Sequence, residues 1–170
     1  LPVLSVERTF ELNMRLLDVR TSSEYAKGSI PGARNFPLFD DLERIEIGKI
    51  YKQAGQNVAI GKGLEYFEPR LENFLLSLPS EKTQQFVVYC ARGGMRSASV
   101  TRLMQEHGFH VFQMQGGYKN YRQFILKKLN NQPPPLIVLH GKTGVGKTLI
   151  LKSLPDHLDL EDLAQHRSSL

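Results

Sequence analysis

The chain has 170 residues, 41% of them hydrophobic and 23% charged, with a formal net charge of +5 and a single cysteine. That composition suffices for a buried core and contains no apolar run near the ~20 residues of a membrane-crossing helix. One cysteine excludes an internal disulfide framework and suits a reducing, cytoplasmic setting. Charge is unevenly spread. Residues 1–86 carry 11 basic and 12 acidic side chains, whereas residues 87–129 carry seven basic ones (Arg92, Arg96, Arg102, Lys119, Arg122, Lys127, Lys128) against Glu106 alone. This basic stretch predicts an anionic substrate or a nucleic acid as partner, with a plain solvated helix face as the alternative for Lys127–Lys128.

In chain order, Val3–Val6 reads as a short strand and Glu7–Arg15 as a helix, followed by a buried strand at Leu16–Arg20. Thr21 with Glu24 offers the capping residues of a short helix. Pro31-Gly32 is a turn, and Arg34–Pro37 a strand cut off by proline. Residues 38–78 read as helical, broken by Gly48, Gly55, Gly61 and Gly63. A strand at Phe86–Tyr89, a helix to about His107 capped by Gly108, a strand at His110–Met114 and a helix at Tyr118–Leu129 complete the first part. Strands alternating with helices predict an α/β fold with a largely parallel sheet flanked by helices. Ligands of such sheets sit at the carboxyl ends of the strands, where Cys90 falls.

Cys90-Ala91-Arg92-Gly93-Gly94-Met95-Arg96 carries the chemistry. A cysteine at a strand end, with a loop curling into a helix N-terminus, meets converging backbone N–H groups and the positive end of the helix dipole. Those donors, with Arg92 and Arg96, favour a thiolate and would cradle an oxyanion along Gly93, Gly94 and Met95. The plainer reading is a buried strand-end cysteine. Asp18 and Arg20, on a neighbouring strand end, are expected to form an ion pair or hydrogen bonds that shape the loop, since buried charges need partners. His107 and His110 lack further ligands beside them and are read as non-ligands, so no metal site is expected.

Residues 131–135 form a proline-rich linker. Beyond it, residues 136–140 have the pattern of a buried strand, with His140 packing at its end. Gly141, Lys142, Thr143, Gly144, Val145, Gly146, Lys147 and Thr148 match the phosphate-binding loop G-x-x-x-x-G-K-[ST]. Their backbone N–H groups would hold a diphosphate, Lys147 would reach its oxygens and Thr148 would offer a ligand to Mg2+. Only some 35 residues follow the linker, too few for a complete nucleotide-binding core. Residues 136–170 are therefore expected to be the N-terminal fragment of a P-loop domain, after a first domain at 1–130. Asp159, Glu161 and Asp162 are read as a turn or helix start.

Several stretches carry a resemblance. Leu17-Asp18-Val19-Arg20 with Glu24-Tyr25 and residues 28–33, and the Cys90 loop with Gly116-Gly117-Tyr118, resemble the signatures of rhodanese-type sulfurtransferase domains. A rhodanese-like domain followed by a P-loop resembles, more narrowly, the tRNA 2-selenouridine synthase family. Residues 37–44, 48–53, 90–97, 116–122 and 159–167 are similar to strings of that family. The chain departs from it at Ala91, where tryptophan is usual, and after Arg167, where the family continues with glycine.

The resemblance implies selenium-for-sulfur replacement on wobble 2-thiouridine of tRNA. The sulfur is first geranylated from geranyl diphosphate, and selenophosphate then supplies selenium. It implies Cys90 as the residue that carries or positions selenium, the loop with Arg92 and Arg96 as the selenophosphate site, and residues 141–148 as a diphosphate site. It also implies tRNA and a selenophosphate-supplying enzyme as partners, and no tightly bound cofactor. Two other readings stay open. The five residues between Cys90 and Arg96 match the C-x5-R loop of cysteine phosphatases, and the chain could serve as a non-catalytic tRNA- or anion-binding module. The same spacing predicts a loop roomy enough for a tetrahedral anion.

Overall fold

The computed structural model describes residues 1–80, 83–131 and 135–163. The chain divides into two units, Leu1–Asn131 and Gln132–Leu170. The first unit is built on five strands: β1 (Val3–Leu4), β2 (Arg15–Asp18), β3 (Arg34–Asn35), β4 (Gln85–Tyr89) and β5 (His110–Met114). Their order is β1-β5-β4-β2-β3 and every pairing is parallel, with Leu17 opposite Val88 and Val87 opposite Phe112.

Parallel neighbours require crossover connections; helices fill each of them, and a last helix follows β5. The helices are α1 (Val6–Glu11), α2 (Ser22–Ala26), α3 (Asp41–Ala54), α4 (Gln56–Phe67), α5 (Leu71–Ser77), α6 (Met95–Glu106) and α7 (Gly117–Asn131).

Side-chain alternation along β4 sorts the core. Phe86, Val88 and Cys90 join one buried cluster with Leu17, Val100 and Met104. Val87 and Tyr89 join a second with Leu16, Ile30 and Met114, over which Tyr118, Tyr121 and Phe124 of α7 pack. Successive strand residues point to opposite faces, so Cys90 extends the alternation one step past β4, toward the face covered by α6. Both faces are buried, as a parallel sheet demands.

Several boundaries differ from expectation. The first helix stops at Glu11, with Asn13 at φ 47° turning the chain toward β2; asparagine tolerates that left-handed conformation better than most residues. Of the four glycines expected to break the helical region, only Gly55 does so, between α3 and α4. Gly48 lies inside α3, and Gly61 and Gly63 inside α4. A helical glycine costs about 1 kcal/mol relative to alanine. At Gly63 the missing side chain admits the Phe39 ring, since a Cβ there would stand 3.2 Å from Cζ.

The second unit corrects a larger expectation. Residues 136–140 form no strand, and Leu136, Ile137, Val138, Leu139 and His140 are all exposed. A strand needs a neighbour to satisfy its backbone N–H and C=O groups, and the described residues of this unit include none. The loop leads instead into α8 (Lys147–Ser153), followed by α9 (Leu160–Leu163). Asp159 stands before α9 and its side chain accepts from the Asp162 N–H at 3.2 Å, the helix-start role expected of that stretch. Among the described residues no helix is long and apolar enough to cross a membrane.

Candidate active site

Cys90 follows the central strand directly and is 3% exposed. Residues 91–94 make the loop, and α6 begins at Met95. Gly94 precedes the helix in extended conformation and supplies no side-chain cap. The first N–H groups of a helix lack intrahelical acceptors, so this end of α6 suits an anion.

The loop is clamped by the first turn of α7, just after β5. Tyr118 N–H donates to the Cys90 carbonyl at 2.9 Å, and Lys119 N–H donates to the Ala91 carbonyl at 3.0 Å. The approach is so close that only glycine fits. A Cβ on Gly117, at φ 57°, would lie 2.1 Å from the Cys90 carbonyl oxygen and 2.6 Å from the Gly93 nitrogen. A Cβ on Gly93, at φ 64°, would lie 2.7 Å from the Gly116 nitrogen.

The cations expected around the loop are placed differently from one another. Arg92 is exposed. Arg96 is held by Glu24 of α2, with Nη1 donating to Oε2 at 2.7 Å and Nη2 to Oε1 at 3.3 Å. Both side chains are about one-fifth exposed, at 19% and 22%. Glu24 also caps its own helix, exchanging hydrogen bonds with Thr21 in a capping box. Burial works against ionising Glu24, but the hydrogen bond and charge of Arg96 outweigh it, and the carboxyl titrates below its ordinary 4.5. The phosphatase reading asks a free arginine to receive phosphoryl oxygens; here Arg96 already has a carboxylate partner.

Beneath the loop lies the ion pair expected of Asp18 and Arg20. Nη2 of Arg20 donates to Asp18 Oδ2 at 2.6 Å and to the Gly28 carbonyl at 2.8 Å. Both residues are buried. Burial disfavours the guanidinium charge, yet the Asp18 hydrogen bond and charge prevail and raise its pKa. The same guanidinium lies 4.0 Å from the centroid of the Tyr118 ring, a cation–π contact. The pair thus ties the end of β2 to the residue whose N–H clamps Cys90. Tyr89, whose hydroxyl accepts from Ile30 N–H at 3.3 Å, has its pKa pushed up by burial and the Asp18 charge.

Three participants escaped the sequence reading. Ser97 Oγ lies 3.2 Å from Cys90 Sγ. Gln113 of β5 reaches across to the loop, with Nε2 2.8 Å from the Gly93 carbonyl, 3.2 Å from that of Gly94 and 2.9 Å from Ser97 Oγ. Glu24 was legible as a cap but not as the partner of Arg96. For Gln113, 20 residues beyond Gly93, a polar side chain near the end of a buried strand was the available signal.

In the second unit, Gly144 and Gly146 take positive φ of 79° and 87°, and Lys147 and Thr148 open α8. The Lys147 ammonium donates to the Gly141 and Lys142 carbonyls at 2.8 and 2.7 Å. It closes the 141–148 loop on itself, with Thr143 and Val145 in the turn between. Among the described residues no group of three or more His, Cys, Asp or Glu side chains is arranged to hold a metal ion. Thr148, at the start of α8, would supply one hydroxyl ligand to Mg2+, the remaining ones coming from phosphate oxygens and water.

Residues 6–124 match the family model described as Rhodanese-like domain, and residues 134–170 match one described as tRNA 2-selenouridine synthase AAA domain. A protein of Cronobacter sakazakii named tRNA 2-selenouridine synthase is 40% identical over 160 residues, covering 91% of this chain and 42% of the relative. One of the same name from Chromohalobacter salexigens is 38% identical over 173 residues, covering 99% and 48%. The chain spans a little under half the length of these curated relatives. Among solved structures, the N-terminal domain of a Clostridium difficile 630 protein named for ATP/GTP binding is 41% identical with a TM-score of 0.69, covering 73% of this chain and 98% of that one. By its five parallel strands, its cysteine loop and the match across residues 6–124, the chain belongs to the rhodanese-like domain family, and its sequence is similar to proteins named tRNA 2-selenouridine synthase.

Proposed function

We propose that this chain is the selenium-handling part of a tRNA 2-selenouridine synthase. The observation that carries the reading is Cys90 at the carboxyl end of the central strand, opening the loop into α6, in a chain that matches named synthases over nine-tenths of its length. Selenophosphate enters the loop of residues 90–96, where the uncapped end of α6 and the exposed Arg92 favour a tetrahedral anion. Arg96 joins only by exchanging Glu24 for the incoming oxygens.

The chemistry closes without an oxidant. The sulfur of wobble 2-thiouridine takes the geranyl group from geranyl diphosphate, and diphosphate leaves. Selenium of selenophosphate attacks C2 of the S-geranyl base, the C2–S bond breaks, and geranylthiol departs with a proton. Water then cleaves the P–Se bond and releases phosphate. Bonding the Cys90 sulfur to selenium as a perselenide would need a two-electron oxidant, so the part assigned to Cys90 is to position the donor. The loop Gly141–Thr148 holds the diphosphate of geranyl diphosphate once Lys147 leaves its own carbonyls, and no step is assigned to a metal ion. The basic side chains of residues 92–128 meet the tRNA backbone in a salt-sensitive contact. A selenophosphate-supplying enzyme acts upstream.

The test is to incubate the chain with selenophosphate and S-geranylated tRNA and to read nucleosides by mass spectrometry. Selenouridine is expected with the native chain and lost with Cys90→Ser. Phosphate release from an aryl phosphate without tRNA change would favour the phosphatase, and salt-dependent tRNA binding without chemistry would leave a binding module.

A further inference from the structure

We infer that Gln113 of β5 is a positioning residue for Cys90, acting through the hydroxyl of Ser97. The inference rests on the reading of Cys90 as the working residue of the loop and names the device that serves its sulfur. Three facts carry it. Cys90, Ser97 and Gln113 are 3%, 0% and 7% exposed, so water contributes little to their hydrogen bonding. The Ser97 oxygen has three neighbours: Cys90 Sγ at 3.2 Å, the Gly94 carbonyl at 3.0 Å and Gln113 Nε2 at 2.9 Å. Gln113 Nε2 also faces the carbonyls of Gly93 and Gly94.

Carbonyls only accept, so the atom facing two of them is the amide nitrogen rather than the amide oxygen. That nitrogen only donates. Its contact with Ser97 therefore occupies a lone pair of the hydroxyl and leaves the single hydroxyl hydrogen two destinations, the Gly94 carbonyl or the Cys90 sulfur. When Cys90 is a thiol, its S–H donates to Ser97 and the hydroxyl hydrogen rests on Gly94. When Cys90 is a thiolate, the hydrogen rotates onto sulfur. Gly94 then keeps a donor, because one of the two Gln113 amide hydrogens turns to it from Ser97 across 3.2 Å while the other stays on Gly93. Neither glycine carbonyl loses its donor in either state, and losing one is the cost that would otherwise oppose the rotation.

Gln113 also anchors the loop backbone at Gly93, so one amide fixes both the loop and the rotor. Other charged groups at the site are Arg92 and Arg96 of the loop, Glu24 of α2, and Arg20 with Asp18 beneath Tyr118. Substitutions at positions 97 and 113 alter none of them.

The test uses the chain's one thiol. The rate of iodoacetamide alkylation is followed by intact mass from pH 5 to 9 for the native chain, Ser97→Ala, Gln113→Met and the double variant. Each single variant is expected to move the half-maximal pH upward by about one unit, which is about a tenfold loss of alkylation rate below the midpoint. The double variant is expected to move it no further, because both residues act through one hydroxyl. Restoring the hydroxyl with Ser97→Thr should recover most of the shift.

An unmoved profile for Ser97→Ala overturns the inference, whether or not Gln113→Met folds. A shift in Ser97→Ala that is absent from a folded Gln113→Met, or that adds to a shift in it, overturns the role of Gln113. The readout uses neither tRNA nor selenophosphate. A shifted profile in a chain that makes no selenouridine would sink the functional reading alone, and an unmoved profile in an active chain would sink this inference alone.

Discussion

The Cys90 loop and the Gly141–Thr148 loop are both glycine-containing turns that open a helix, yet their surroundings differ. The first follows a strand paired on both sides, with β2, the residues just after it and β5 supplying Asp18, Arg20 and Gln113 around it. The second follows an exposed apolar segment without strand partners among the described residues, and its lysine satisfies itself on the loop's own carbonyls. A local motif specifies a turn. Neighbouring strands turn it into a site, by supplying groups that the motif does not contain.

The largest effects should come from breaking the support of the first loop. Asp18→Ala strands the buried Arg20 guanidinium, and losing one partner of a buried pair costs about 3–5 kcal/mol. Phe86→Ala empties the core under the same strand for a similar loss, about 3–5 kcal/mol. Both should appear as lowered midpoints in denaturant titrations of the whole chain. An Asp18→Ala midpoint matching the native one would mean that the pair is not what holds this region.

Glu24→Gln should have a smaller, pH-dependent effect. The folded carboxyl titrates below its ordinary 4.5, so its stabilising contribution is complete above that value and fades as pH falls through the folded pKa. Melting temperatures of the native chain and Glu24→Gln should therefore differ at neutral pH and converge in acid. A gap that widens on acidification would reverse the sign and contradict the pairing.

The smallest effect belongs to the second region. Ile137→Ala removes a fully exposed side chain and should change stability by no more than about 0.5 kcal/mol. A loss comparable to that of Phe86→Ala would show that residues 136–140 are buried after all, and would dissolve the contrast between the loops.

What could be read from sequence follows the same division. β4, the turn into α6, the Thr21–Glu24 cap and the Asp18–Arg20 pair depend on residues close in the chain, and all were legible there. Gln113 and the Glu24–Arg96 pair were not, because parallel topology brings together groups separated by 20 and 72 positions. The strand at 136–140 was misread for the opposite reason. An apolar run states that a segment suits burial, and says nothing of whether a partner strand is present. Gly61 and Gly63 were read as breaks because propensity is local, whereas the packing of Phe39 against Gly63 is not.

The central claim is that the loop closing on Cys90 receives the anionic selenium donor. The most direct measurement is anaerobic alkylation of Cys90 by iodoacetamide, read by intact mass, across a titration with selenophosphate. Saturable protection is predicted, slowing alkylation at least several-fold, with chloride at matched ionic strength giving none. Alkylation that proceeds at the same rate under saturating selenophosphate would contradict the claim.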